Sequence, residues 1–169
     1  ATVMLPRLYY ERLEEVGLDF AVVYTSEGLS AQQERDPELR QALHRALNTM
    51  YADMFADVSH RMIPSAVIPM HNPDEAIAEL NFAVGELGMR SITISSEWRG
   101  PVAEGAPELA GYTQKIHSFT IDSPFDYDPF WARCVELKVA VTGHGGAQQT
   151  ERRASPTNFV YNRLGSFGV

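Results

Sequence analysis

Lys138-Val139-Ala140-Val141-Thr142-Gly143-His144-Gly145-Gly146 reads as a β-branched strand that runs out on Gly143 and presents an imidazole followed at once by two glycines. Strand ends are where α/β proteins place chemistry, and residues on loops held by a rigid scaffold often carry function. Of the five histidines in the chain, His144 is the best placed to act. The flanking glycines let backbone approach a ligand closely and let the chain turn sharply after the strand.

Three further apolar runs precede this one, at residues 20–24, 63–68 and 91–95. All four are continuous rather than alternating, which suits strands buried on both faces of a parallel sheet covered by helices. The segments between them are written as helices. Asp36-Pro37, Asn72-Pro73 and Asp128-Pro129 each put an Asx cap before a proline suited to the first turn. Leu39, Leu43, Leu47, Met50 and Met54 then recur at steps of three or four, so one face of a long helix is apolar. Ile77, Leu80, Ala83, Val84 and Leu87 do likewise before Gly88 stops them, and Trp131, Cys134 and Val135 form a shorter third. An amphipathic helix over 8–16, ended by Gly17, feeds the first run. Residues 98–125, broken by repeated glycine and proline, are expected to form an extended βα loop.

The series of helices and strands predicts a single α/β domain over 1–169, either an open doubly wound sheet or part of a (β/α)8 TIM barrel. No G-x-G-x-x-G or G-x-x-x-x-G-K-[ST] follows a strand, which removes the usual nucleotide signature of the open sheet and favours the barrel. A formal charge of −8, with 14 basic residues, argues against a nucleic-acid or anionic-membrane surface. No apolar run approaches the roughly 20 residues that span a bilayer, and there is no signal-peptide layout. The single cysteine, Cys134, excludes an internal disulfide framework, fits a reducing cytoplasmic setting, and reads as core.

Several phrases together resemble the amidohydrolase-related metal-dependent hydrolases, in the branch of aminocarboxymuconate-semialdehyde and resorcylate decarboxylases. They are Arg12 to Asp19 running into Phe20 to Tyr24, Ile63-Pro64 to Pro69, Asn72 to Leu80, Glu86 to Arg90 running into Ser91 to Ile94, and Trp131 to Gly146. The resemblance implies a (β/α)8 barrel in which the four runs are strands two to five, so that the chain covers about half a barrel. It further implies a divalent metal, zinc first and manganese second, with His144 as the strand-five ligand. No His-x-His pair occurs in the chain, and the remaining ligands and the acid/base residue are expected outside it. The expected substrate is a small aromatic or unsaturated carboxylic acid, processed by hydrolysis or non-oxidative decarboxylation, and a homo-oligomer is among the expected assemblies.

On the substrate side, Arg99 offers a bidentate grip on a carboxylate, Trp98 a stacking surface and Glu97 a carboxylate near the presumed mouth. Each also reads as part of a solvated loop. His71 follows its strand closely enough to face the mouth, although a local hydrogen bond to the Asn72 turn explains it as well. Thr25, Ser26, Ser95 and Ser96 are rim hydroxyls, and His117 is a candidate lid residue. His44 and His60 read as surface, while Asn158, Tyr161, Asn162 and Arg163 belong to the next helix. Two other readings stay open. His144-Gly145-Gly146 also resembles the oxyanion loop of α/β-hydrolase esterases, but no G-x-S-x-G elbow is present. An incomplete barrel without catalytic activity is the third.

Overall fold

A computed structural model of the chain describes residues 5–95, 97–100, 115–117, 119 and 123–144. The elements run α1 (Pro6–Tyr10), β1 (Ala21–Val23), α2 (Ser26–Ala31), α3 (Pro37–Phe55), β2 (Met62–Pro64) and β3 (Ala66–Val67). They continue with α4 (Pro73–Asn81), β4 (Ser91–Ser95), β5 (Trp98–Gly100), β6 (Lys115–His117), α5 (Asp128–Leu137) and β7 (Ala140–His144). The caps explain where the longer helices begin. Asp36 accepts from the Leu39 amide and Asn72 from the Glu75 amide, each with proline in the first turn. Gly17 and Gly88 take positive φ at the ends of their helical segments, as stop signals should. The first helix is shorter than its periodicity suggests, giving way to turns after Tyr10. Among the described residues no helix is long and apolar enough to cross a membrane.

All pairings among β1, β2, β3, β4 and β7 are parallel. Residues 62–67 form one extended segment, split at Ser65, that pairs with β1 through its first half and with β4 through its second. The spatial order therefore follows chain order, from β1 through β2 and β3 to β4 and β7. A doubly wound sheet reverses its strand order and lays helices on both faces. Here Tyr51 of α3, Ala76 and Leu80 of α4, and Phe130 and Cys134 of α5 share one core with Ala66, Ile68, Ile92 and Ile94, so three helices cover the same face. The other face is concave. Tyr24, just past β1, reaches Thr142 of β7 with 3.2 Å between their hydroxyl oxygens. In a flat sheet the first and fourth strands would stand about 14 Å apart, so the contact requires strong curling. This is barrel-like α/β curvature, and the described residues do not close a barrel.

Two expectations about burial change. Strand β4 is buried along its whole length, but β7 is largely exposed because no described strand lies on its far side. On α3 the apolar stripe is not the most buried face: Leu39, Met50 and Met54 are exposed, while Arg40, His44, Asn48, Tyr51 and Phe55 turn inward. A polar helix face tolerates burial only when its groups find partners. Arg40 and Asn48 find them in Glu75, Glu79 and the backbone of β3.

Candidate functional site

Alternation along the strands decides which side chains face the concavity. Ile92 and Ile94 join the helix-facing core, so Ser91, Thr93 and Ser95 point the other way. Register carries the assignment to β7, where Thr93 pairs with Thr142 and Ser95 with His144. The Tyr24–Thr142 contact agrees with it. His144 is thus the last residue of a parallel strand, exposed, on the concave side, directly beside Ser95. Deeper in, Thr93 Oγ1 donates to Ser65 Oγ at 2.7 Å, and the Ser65 and Ser91 hydroxyl oxygens lie 2.9 Å apart, which satisfies these buried groups mutually.

Beyond the C-terminal ends of β3 and β4, three rings are stacked. Trp98 lies parallel to His117, with centroids 3.9 Å apart and planes 4° apart, and His71 packs on Trp98 at 4.5 Å. These separations leave no room for both imidazoles on one face, so the indole is sandwiched. Trp98 and His117 are cross-strand partners in the antiparallel pairing of β5 with β6, two short strands within the segment read as an irregular loop. Gly100 makes the stack possible: a Cβ there would lie 2.6 Å from Trp98 Cζ3 and 2.8 Å from His117 Nε2. The expectation of a local hydrogen bond for His71 fails. Neither of its buried ring nitrogens, nor either of those of His117, has a hydrogen-bond partner among the described residues. Burial holds the His71 imidazole down to about 3, reinforced by the charge of Arg40. In this arrangement neither face of Trp98 is open to a substrate ring.

A buried polar layer supports the stack. Arg40 clasps Glu75 bidentately, Nε to Oε2 at 2.9 Å and Nη2 to Oε1 at 2.8 Å, while its Nη1 donates to the carbonyls of Glu34 and Arg35. His44, expected at the surface, is fully buried, because it lies one turn after Arg40 on the inward face of α3. Its Nδ1 lies 2.8 Å from the Arg40 carbonyl, which fixes the proton on that nitrogen. Burial lowers its pKa from 6.5 to about 4, with Arg40 contributing in the same direction by charge. The folded state therefore resists protonation that the unfolded chain accepts. Stability is full above pH 6.5 and falls as the pH drops toward 4, by about 3 kcal/mol from this group alone. Urea denaturation at pH 7 and pH 4.5 should show the loss, and His44→Gln should show a flatter profile.

The remaining candidates fall as follows. Glu97 is half-buried just after β4, and its backbone oxygen accepts from Ser95 Oγ at 2.6 Å and from Gln33 Nε2 at 3.3 Å. Arg99 sits in β5 with its backbone opposite Ile116; its side chain lies outside the described residues. Thr25 stands at the N-terminal boundary of α2 without a side-chain capping bond, and Ser26 opens the helix just beyond β1. His60 is exposed and hydrogen-bonds Tyr10 at 2.9 Å, on the opposite side of the fold from the strand C-termini. Ser96, Gly145, Gly146, Asn158, Tyr161, Asn162 and Arg163 lie outside the described residues. Sequence reasoning missed Gln32 and Gln33, which bond the Thr93 carbonyl and Ser95 from the end of α2. The Arg40-His44-Asn48 spacing of four is the signal that would have revealed the inward polar face.

A parallel strand ending in a histidine beside rim hydroxyls suits metal or substrate chemistry at a barrel mouth. A sequence profile of the amidohydrolase family matches residues 8–162. The chain belongs to the amidohydrolase family. Among solved structures, this family member is similar to 2,6-dihydroxybenzoate decarboxylase from Rhizobium, at 22% identity and TM-score 0.61, over 82% of this chain and 38% of that one. A dihydroxybenzoic acid decarboxylase from a Polaromonas species, solved with manganese and 2-nitroresorcinol, matches at 20% identity and TM-score 0.60, over 81% and 37%. A 5-carboxyvanillate decarboxylase from Novosphingobium aromaticivorans, also with manganese, matches at 21% and TM-score 0.56, over 82% and 33%. At such identities the likeness establishes fold alone. This amidohydrolase chain spans less than two-fifths of the length of each of the three. Among the described residues no group of three or more His, Cys, Asp or Glu is arranged to hold an ion.

Proposed function

We propose that this chain forms part of a metal-dependent hydrolase or non-oxidative decarboxylase, with His144 as one metal ligand. The substrate is a small aromatic or unsaturated carboxylic acid. The observation that supports the reading is the position of His144, at the C-terminal end of a parallel strand and on the concave face, in a chain of the amidohydrolase family. Catalytic zinc takes three protein ligands and keeps an open position, and neutral imidazole is a good donor. One imidazole does not make such a centre, so the described residues alone do not hold the ion. The reading assigns His144 one place in a set that other residues complete, with zinc first and manganese, the metal in two of the similar decarboxylases, second.

On the substrate side we assign Arg99 to the carboxylate, because a guanidinium on the strand next to the rim is suited to bidentate pairing. Glu97, Trp98 and His71 shape the mouth beside it. With both faces of its indole covered, Trp98 serves as a wall rather than a stacking platform. The aromatic-acid substrate class draws on the similar proteins, which act on dihydroxybenzoate and 5-carboxyvanillate.

Metal analysis of the longer protein tests this reading. Purified protein should carry stoichiometric zinc or manganese, and His144→Ala should lose it with an intact far-UV spectrum. Turnover of 2,6-dihydroxybenzoate or a related acid should fall by more than about 100-fold, since even partners of metal ligands cost 10–100-fold. A metal-free, fully active protein would sink the proposal.

A further inference from the structure

Alternation on β1 turns Val22 and Tyr24 to the concave side, because Ala21 and Val23 pack the other way, against the smaller core of Leu13, Phe55, Val58 and Met62. The Tyr24 phenol crosses the cup there and ends with its oxygen 3.2 Å from Thr142 Oγ1. On β7, Thr142 and His144 share that face two residues apart, a step of about 7 Å along the strand. The Tyr24–Thr142 bridge thus forms a floor one step below His144.

Other groups on this side are already engaged. Both faces of Trp98 are covered by His71 and His117. Ser65, Ser91 and Thr93 are buried and bond one another, and Ser95 Oγ is held by the backbone of Glu97 and by Gln33. Tyr24, by contrast, is 44% exposed, and Val22 beneath it is 40% exposed. The floor therefore offers an aromatic ring beside an apolar side chain, with one hydroxyl to mark position. A phenol oxygen carries one donor and can also accept, so its bond with Thr142 leaves it able to make another. Thr142 holds the ring in place before any ligand arrives, which lowers the ordering cost of binding.

We propose that Tyr24 is a specificity-determining residue: its ring packs against the ring of an aromatic acid held at the rim, and its hydroxyl recognises a hydroxyl at the ring edge remote from the carboxylate. The assignment deepens the function proposed above and rests on it. A carboxylate bound beside His144 lies at the rim, so the opposite edge of its ring points down the cup, and the step between rim and floor accommodates one six-membered ring. An acid with an apolar far edge leaves the phenol's second hydrogen bond unmade, whereas one with a hydroxyl there completes it. A single neutral hydrogen bond of this kind is worth about tenfold in affinity.

Calorimetric titration of the longer protein, loaded with zinc or manganese, tests the assignment with salicylate and 2,4-dihydroxybenzoate, which differ only by the hydroxyl opposite the carboxylate. The parent should bind the second acid about tenfold more tightly. Tyr24→Phe should lose that preference while its affinity for salicylate stays the same. Tyr24→Leu, which removes the ring as well, should bind both acids roughly tenfold more weakly than the parent. Both variants should keep the parent's metal content and a cooperative urea transition. Equal affinities in the parent, a preference that survives in Tyr24→Phe, or parent-like binding by Tyr24→Leu overturns the assignment alone. So does loss of metal from Tyr24→Phe, which would mean that the phenol acts through the metal site. A parent that binds neither acid overturns the function proposed above along with it.

Discussion

Asn48→Ala lowers stability by about 3 kcal/mol, as measured by urea denaturation at pH 7. The Asn48 side chain, fully buried on α3, pairs with both backbone groups of Val67: its Oδ1 accepts from the amide at 2.8 Å and its Nδ2 donates to the carbonyl at 2.9 Å. The same Nδ2 donates to Glu79 Oε1 at 2.8 Å. Alanine leaves the backbone of a central strand and a buried carboxylate short of partners, and the site is too enclosed for water to replace them at no cost. Burial already pushes the Glu79 carboxyl up, and removing the amide raises it further. Asn48→Asp is expected to be at least as damaging, because a carboxylate cannot donate to the Val67 carbonyl and repels Glu79. A loss below about 1 kcal/mol for the alanine variant would show that β3 is not held this way.

Arg40→Ala has the second large effect, a loss of about 3–5 kcal/mol, because it strands a buried carboxylate rather than merely removing a contact. Arg40 and Glu75 side chains are 5% and 11% exposed, and their pairing is bidentate. Burial alone would raise the Glu75 carboxyl, but hydrogen bonds and charge from Arg40, with help from Asn72, hold it below its usual value. The stability this confers is present above the ordinary value of 4.5 and is lost as the pH falls through the lowered one. In the variant Glu75 keeps the burial without the partner and takes a proton more readily. The gap between variant and parent should therefore be widest near pH 7 and narrow as the pH approaches 4. Arg40→Lys recovers only part of the loss, since an ammonium cannot reproduce the fork or reach the Glu34 and Arg35 carbonyls at once.

The strands were readable from sequence because continuous apolar runs and helix caps are local signals. β4 matches its expected span residue for residue, and the Asp36 and Asn72 caps begin their helices as read. The decarboxylase-like resemblance also holds, in family and in structural likeness. What escaped the sequence depends on partners far along the chain. Nothing local tells that Arg40 will meet Glu75 or that Asn48 will meet Val67, so the inward face of α3 was read by its leucines instead. The ring sandwich was invisible for the same reason: Trp98 and His117 become neighbours only through the pairing of β5 with β6, which lie far apart in a stretch of sequence rich in breakers. Of the candidate site, the rim position of His144 and the proximity of His71 to Trp98 were within reach of strand-end reasoning. Ligation itself needs residues that the described part of the chain does not bring together.

Strand β4 separates two kinds of mutational tolerance within five residues. Ile92 and Ile94 answer to the helices, so changes there are judged by volume; Ser91, Thr93 and Ser95 answer to the concave side, where volume matters less than the number of donors and acceptors. Selection can therefore alter the polar lining of the concave side by editing alternate codons while the intervening ones keep the fold intact.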